Sequence, residues 1–194
     1  MEREVEDEFT KALFELDHQT LLDRYFYTRP AAVLAPEQEA GLRREVAKFF
    51  HVAMRDVIIT GSAKLGFTLV PKKGRPAMSP FGDTSDIDVT IISSELFLQL
   101  WREAFAFAEE RGDWSSVEDF RAYLMKGWLR PDKLPTDPGF SWSREWFDFF
   151  RQLQRSGKFG RYKITAGVYY DEAFWEAYAR SSLDKCRDAI ERPL

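Results

Sequence analysis

The sequence predicts an α+β (or α/β) fold in which a small mixed β-sheet is packed by helices. Two observations support this. Short runs rich in β-branched residues occur at 57–60, 86–92 and 161–170, and helical spacing of apolar residues dominates between and around them. The chain has 194 residues, 44% of them hydrophobic and 31% charged, which is typical of a globular chain. We therefore expect one domain over residues 1–194, with three strands.

The helices follow from their apolar stripes. Val5, Phe9, Leu13 and Leu16 indicate an N-terminal helix, and a second helix is expected from Pro36, because proline suits a first helical turn. Further helices are predicted after Ser93 and at about 115–127, 143–155 and 172–190, with a proline-broken connection at 130–138. Residues of about 95–156 thus form a helical insertion between the second and third strands.

Cysteine usage and hydropathy bear on location. Cys186 is the only cysteine, so no internal disulfide can form, which favours a reducing cytoplasm. The acidic stretch from Met1 to Glu8 does not resemble a signal peptide, and no run approaches the ~20 apolar residues of a membrane span. We expect a cytoplasmic protein without a membrane partner. His18 and His51 are too few for a histidine-based metal site.

The net charge of −4 hides a polarised distribution. The stretches 57–82 and 149–170 contain no acidic residue. Their basic residues are Lys64, Lys72, Lys73, Arg75, Arg151, Arg155, Lys158, Arg161 and Lys163. Two such segments are either solvated faces or binding surfaces for a polyanion. We expect both to face one cleft.

Asp86 and Asp88 are the sharpest chemical signal. Side chains two residues apart on a strand point to the same face, so the two carboxylates would lie side by side. Like charges that close repel unless a cation lies between them, and oxygen ligands favour Mg²⁺ or Mn²⁺. The alternative is a solvated strand start after the turn-like residues 82–85.

Gly61 and Ser62, at the end of the first strand, could bind phosphate oxygens through backbone N–H groups and the serine hydroxyl. Lys64 would add positive charge at the same place. Lys72, Lys73 and Arg75 would then neutralise a leaving pyrophosphate or hold an oligonucleotide; otherwise they belong to an ordinary solvated loop. Carboxylates for a metal beside a phosphate cradle favour phosphoryl or nucleotidyl transfer.

Gly61-Ser62 followed by Asp86-Ile87-Asp88 resembles the signature of the DNA polymerase β-type nucleotidyltransferase superfamily. The runs 61–67 and Ser85–Val89 are similar to those of small stand-alone bacterial members. The resemblance covers residues 57–92. It implies that Gly61, Ser62 and Ser85 belong to the nucleotide site and that Asp86 and Asp88 bind two Mg²⁺.

The implied reaction moves a nucleoside monophosphate from an NTP or dNTP to a hydroxyl of a nucleic acid, nucleotide or protein, releasing pyrophosphate. Small bacterial members include toxin–antitoxin enzymes, drug-modifying enzymes and phage-defence enzymes, so a partner protein encoded nearby is an expectation. The core motif would lie at 57–92, the insertion at about 95–156, and the third strand with the C-terminal helix at 161–190.

Two departures from the family pattern qualify the expectation. The 23 residues between Ser62 and Asp86 exceed the family's usual spacing, and the basic loop 71–76 is interpreted as an added substrate clamp. The family's third carboxylate normally lies on the next strand, where this sequence has Lys163 and Thr165 instead. Either two carboxylates suffice, or Asp171 or Asp148 folds into the site, or catalysis is impaired.

Two other functions compete with this interpretation. Asp86-Ile-Asp-Val-Thr90 also matches the D-x-D-x-T motif of haloacid-dehalogenase-type phosphatases, but there the apolar strand precedes the motif, whereas here it follows. The second alternative is a nucleotidyltransferase-like module that binds a nucleotide or a partner without catalysis.

Overall fold

A mixed β-sheet lies at the centre of the fold. The computed structural model describes residues 2–72 and 74–192, with side chains from residue 5 onward. Within these ranges the sheet has four strands: β1 (Val57–Thr60), β2 (Ile87–Ile92), β3 (Trp128–Leu129) and β4 (Ile164–Tyr169). Their order is β1-β2-β4-β3, and β2 and β4 are parallel while the outer pairs are antiparallel. The predicted α+β class with a small mixed sheet is confirmed.

Helices flank this sheet. They are α1 (Glu2–Glu15), α2 (His18–Leu22), α3 (Pro36–Phe50), α4 (Gly61–Leu65), α5 (Ser94–Arg111), α6 (Val117–Leu124), α7 (Ser141–Arg155) and α8 (Glu172–Glu191). A π-helical segment (Asp23–Thr28) continues α2, and short 3₁₀ turns lie at Met54–Asp56 and Pro131–Lys133. The parallel crossover from β2 to β4 contains α5, α6, β3 and α7, which correspond to the predicted helical insertion.

The register of the sheet brings three polar residues level with one another. Thr60 on β1 pairs with Asp88 on β2, which pairs with Thr165 on β4. Residues opposite one another in a ladder point to the same face. A row of polar side chains therefore crosses three strands on one face of the sheet.

The two faces of the sheet pack against different layers. One face contributes Val57, Ile59, Ile87, Val89, Ile91, Ile164 and Val168 to a core shared with α3, α5 and α7. The other face contributes Ile58, Ile92 and Tyr169 to a second core with α1, α2 and α8. The polar row shares this second face, so it lies beneath the layer formed by the N-terminal helices and α8.

The sheet has one strand more, over the described residues, than the three that the sequence predicts. β3 is only two residues long, too short for alternation to show, and it lies at the end of a stretch predicted to be helical. Trp128 on β3 stacks on Tyr169 of β4, with ring centroids 5.3 Å apart. Packing across the sheet therefore fixes this strand, and local sequence preference does not.

The connection between β1 and β2 begins as a helix. Gly61 has φ +62°, a conformation that glycine tolerates best, and it turns the chain from β1 directly into α4. After α4 the chain forms a loose hairpin, with isolated bridges between Phe67 and Pro80 and between Lys72 and Arg75. We call residues 66–82 the basic hairpin.

The observed helices agree with the sequence, in which no long apolar run occurs. Over residues 2–72 and 74–192, none of the helices has the length and apolar character needed to cross a membrane.

Candidate functional site

A cavity of about 590 Å³ lies over the polar row of the sheet. Five of the residues that the sequence singles out line it: Gly61, Ser62, Lys72, Asp86 and Asp88. They come from α4, from the basic hairpin and from β2 with the residues before it. The fold thus brings together the Gly-Ser pair and the Asp-x-Asp pair, which are 23 residues apart in sequence.

Gly61 and Asp88 share one wall of this cavity. A Cβ atom on Gly61 would stand 2.6 Å from Oδ2 of Asp88, which no real side chain allows. The positive φ of Gly61 adds a second reason for glycine at this position. The backbone at the start of α4 can therefore lie this close to the carboxylate because residue 61 lacks a side chain.

Asp88 is held by a neighbour on β4. Its Oδ1 accepts a hydrogen bond of 2.7 Å from Oγ1 of Thr165. Burial in the cavity wall raises the pKa of Asp88, and the bond from Thr165 opposes this shift. The charge of Asp86 raises the pKa further, whereas Lys72 and Lys163 lower it. Asp88 is thus a half-buried carboxyl whose charged form is favoured by positive charge nearby.

Asp86 faces Lys163, the residue just before β4. Nζ of Lys163 lies 3.5 Å from Oδ2 of Asp86, and the two side chains are 64% and 37% exposed. The backbone N–H of Ile87 donates to the carbonyl of Lys163 over 2.8 Å, which brings the two strands together at this level. Lys163 and Thr165 thus face Asp86 and Asp88 across the ladder, one partner for each carboxylate.

Lys72 brings positive charge to the cavity from the basic hairpin. Thr68, Leu69 and Val70 of the same hairpin also line the cavity. The Lys72 side chain is exposed and lowers the pKa of Asp88 through its charge. The hairpin therefore forms one side of the cavity, in agreement with its interpretation as part of the site.

Lys64 does not reach the cavity, contrary to the sequence-based expectation. It is only 6% exposed, and its ammonium donates a hydrogen bond to the carbonyl of Arg29. Burial lowers the pKa of this ammonium. Because α4 begins at Gly61, residue 64 falls on the buried side of that helix, where it ties α4 to the segment after the π-helical turn.

Ser85 and Arg75 stabilise the basic hairpin and do not line the cavity. Ser85 is 5% exposed, and its Oγ accepts from Nη2 of Arg75 and from the backbone N–H of Gly82, both over 3.1 Å. Arg75 also donates to the carbonyl of Pro80. Their expected contact with nucleotide is therefore replaced by a structural role. Lys73 lies outside the described residues.

Neither proposed third carboxylate joins the site. Asp171 caps the N-terminus of α8, where its side chain accepts from the backbone N–H of Phe174. Asp148 pairs with Arg151 on the exposed side of α7. One other acid lines the cavity: Asp132, whose two oxygens accept from Arg130 at 2.9 and 3.0 Å. Among the described residues, no group of three or more His, Cys, Asp or Glu side chains could hold a metal ion.

The second basic segment only partly converges on the cavity. Lys163 lines it, but Arg161 pairs with Asp83 and Lys158 lies 3.9 Å from Glu45. The expectation that both basic segments face one cleft therefore holds for Lys72 and Lys163 rather than for the whole of each segment.

Aromatic rings also line the cavity, and sequence reasoning missed their role. They are Phe26, Trp128, Trp146, Phe147, Phe150, Tyr169, Trp175 and Tyr178. A signal was available in and just before β4, where Lys163, Thr165, Gly167 and Tyr169 alternate at a period of two and share a face. The cavity lining thus combines charged side chains with aromatic rings.

A second cavity, of about 720 Å³, lies among α3, α5 and α7. It is lined by Glu45, Glu95 and Glu145 together with aromatic residues such as Phe49 and Trp142. None of the motif residues lines it. The smaller cavity is therefore the candidate site, because it alone of the two contains the paired aspartates.

Asp86 and Asp88 supply oxygen atoms of the kind that Mg²⁺ accepts when it binds together with a phosphorylated ligand. Mg²⁺ is usually held by one or two carboxylates plus substrate phosphates and water, and Asp86 and Asp88 supply such a pair. They do not form a closed cage for a permanently bound ion. Burial first, and then the charge of Asp86, raise the pKa of Asp88, and a nearby cation would oppose both effects.

Comparisons with known proteins add no relative. No family model, no curated protein and no solved structure matches the chain.

Proposed function

We propose that the protein is a metal-dependent nucleotidyltransferase that moves a nucleoside monophosphate from an NTP or dNTP to a hydroxyl. One observation carries this proposal. The backbone of Gly61 lies directly against the carboxylate of Asp88, with Asp86 and Lys72 on the same cavity. Phosphate-binding backbone, paired carboxylates and a lysine thus converge on one space.

Each residue then has a defined task. The N–H groups at Gly61 and Ser62 and the serine hydroxyl hold phosphate oxygens of the nucleotide. Asp86 and Asp88 would hold Mg²⁺, which supplies neutralisation of charge on the reacting phosphate. Thr165 orients Asp88 through its 2.7 Å hydrogen bond, and Lys72 neutralises the departing pyrophosphate.

The nucleobase would lie against the aromatic part of the cavity lining. Tyr178 is exposed and Trp128 half-buried there, and stacking on such rings tolerates every base. The acceptor is a hydroxyl of a nucleic acid, a nucleotide or a protein. A role in a toxin–antitoxin or phage-defence system, with a partner protein encoded nearby, follows from the resemblance at residues 57–92.

The test is mass spectrometry of the products formed from each ribo- and deoxyribonucleoside triphosphate with Mg²⁺ or Mn²⁺ and candidate acceptors. We expect an added nucleoside monophosphate with the wild type and none with the double variant Asp86→Ala, Asp88→Ala. Asp83→Ala is the matched control, because Asp83 is an exposed acid paired with Arg161 and does not line the cavity. Equal products from the wild type and the double variant would refute the proposal.

A second candidate function is nucleotide binding without catalysis. It is favoured by the partners of the two carboxylates: Lys163 and Thr165 on β4, with no third acid grouped with them among the described residues. Metal-dependent binding of a non-hydrolysable nucleotide without turnover of any natural nucleotide would favour this candidate. Turnover would exclude it.

A cytoplasmic location is also part of the proposal. Cys186 is fully buried, and burial raises the pKa of its thiol to about 11, so the thiol stays protonated and unreactive. A single, inert thiol suits a reducing compartment.

A further inference from the structure

Among the described residues, Lys163 is the cation that forms an ion pair with Asp86. Its Nζ lies 3.5 Å from Oδ2 of Asp86. The register of β2 and β4 fixes this approach, because Ile87 pairs with Ile164 and the N–H of Ile87 donates to the carbonyl of Lys163. The backbone ladder therefore places the main chain of Lys163 next to that of Asp86, within reach of its carboxylate.

The charges that line the cavity are few. Asp86 and Asp88 carry the negative charge, and Lys163 and Lys72 carry the positive charge nearest to them. The third acid on the cavity, Asp132, is already bound through both oxygens by Arg130. Lys163 thus offsets the charge of Asp86 without a metal ion.

The carboxylate oxygen atoms that remain free to bind a metal ion are also few. Oδ1 of Asp88 accepts the bond from Thr165, and Oδ2 of Asp88 faces Gly61. A second divalent ion beside Asp86 would have to stand next to the Lys163 ammonium, where like charges repel. No further His, Cys, Asp or Glu joins this pair in the part of the chain that the structure describes.

We propose that the Lys163 ammonium takes the place of a second metal ion beside Asp86, so that the site binds one divalent cation per chain. This inference rests on the proposed function. The side chain is exposed, so its ammonium can also contact a phosphate oxygen of a bound nucleotide while it stays beside Asp86. Lys163 is thus a nucleotide-contacting residue that supplies fixed positive charge where a second ion would otherwise be needed.

The experiment counts bound Mn²⁺ by electron paramagnetic resonance in the presence of each of the four α,β-methylene ribonucleoside triphosphates. We expect one Mn²⁺ per wild-type chain. Lys163→Asp replaces the ammonium by a third carboxylate, so we expect two. Lys163→Arg keeps the charge and keeps the count at one. Arg161→Gln is the control, because Arg161 lies two residues away but pairs with Asp83.

Each outcome decides the matter. Two Mn²⁺ per wild-type chain would overturn the inference and leave the proposed function intact. A count of one with Lys163→Asp, in a variant that unfolds at the same urea concentration as the wild type, would also overturn it. If the wild type binds no Mn²⁺ with any of the nucleotides, both the inference and the proposed function fail.

Discussion

The main chain of Gly61 lies against the carboxylate of Asp88, so close that a methyl group on Gly61 would stand 2.6 Å from Oδ2. These two residues belong to different elements, α4 and β2, and the antiparallel register of β1 and β2 pairs the neighbouring Thr60 with Asp88. The contact places the main chain at the start of α4 and an acidic side chain on one surface. A side chain at position 61 would therefore have to displace the Asp88 carboxylate.

Gly61→Ala tests the contact. We expect it to destabilise the fold by about 3 kcal/mol, through backbone strain and collision with Asp88, and to weaken nucleotide binding at least tenfold. Gly74→Ala is the control, since Gly74 also has a positive φ but no described atom lies within 4 Å of an added Cβ. It should cost about 1 kcal/mol and leave nucleotide affinity unchanged. Urea unfolding and nucleotide titration measure both effects, and equal losses would contradict the role of the contact.

Asp88→Asn should stabilise the metal-free protein at pH 7. Burial raises the pKa of Asp88 above its ordinary value of 3.8, so the folded chain holds the proton more tightly than the unfolded chain. The stability that this proton confers is fully present below 3.8 and is lost as the pH rises through the folded pKa. Asparagine stays neutral at every pH, so the variant does not lose this stability as the pH rises. We expect a gain of about 1 kcal/mol, or about 2–4 °C in Tm.

The pH dependence of the gain in Tm distinguishes burial of the Asp88 charge from a stabilisation that does not involve charge. The gain in Tm should shrink as the pH falls toward the ordinary pKa of the carboxyl, because Asp88 itself becomes neutral there. Asp83→Asn, at an exposed site, should shift Tm by less than about 2 °C at any pH. A constant gain across the pH range, measured in chelator by thermal melting, would argue against burial of the charge as its cause.

Thr165→Val should weaken binding of Mn²⁺ with nucleotide by about 10- to 100-fold, the range seen when a partner of a metal ligand is removed. The valine keeps the shape of the side chain but cannot donate to Oδ1 of Asp88. Thr165→Ser keeps the hydroxyl and should bind nearly as the wild type does. Calorimetric titration of the three proteins distinguishes them. If valine and serine behave alike, the hydrogen bond does not position Asp88.

Lys64→Met should separate stability from binding. Methionine fills the space of the buried stem but leaves the carbonyl of Arg29 without its donor, which costs about 1–3 kcal/mol. Because the Lys64 ammonium points away from the cavity, nucleotide affinity should stay at the wild-type level. A large loss of nucleotide affinity in a variant that still folds would show that Lys64 does contact phosphate, as the sequence alone indicates.

The chemistry of β2 was predictable because it depends on local spacing. Val57–Thr60 is a strand as expected, and β2 begins one residue after the predicted Asp86. Alternation along a strand then places Asp86 and Asp88 on one face without knowledge of the fold. The convergence of Gly61 with Asp88 was expected from the motif, and the register of two adjacent strands produces it.

The partners of the carboxylates could not be assigned from the sequence. Lys163 and Thr165 lie 77 residues beyond Asp86 and Asp88, and their pairing depends on a parallel register set by the packing of the whole crossover. The buried position of the Lys64 side chain could not be predicted either, because it depends on α4 beginning at Gly61. Short elements such as β3 and α4 carry too few residues for periodicity to reveal them.

Release of pyrophosphate is the most direct measure of nucleotidyl transfer by Asp86 and Asp88. Wild type, Asp86→Asn, Asp88→Asn and Asp83→Asn are incubated with Mg²⁺, an acceptor and each nucleoside triphosphate labelled on the α-phosphate. We expect the wild type and Asp83→Asn to release one pyrophosphate for every labelled nucleotide attached to the acceptor, and the other two variants to lose at least 100-fold in rate. Release without attached label, or equal rates in all four proteins, would contradict transfer at this site.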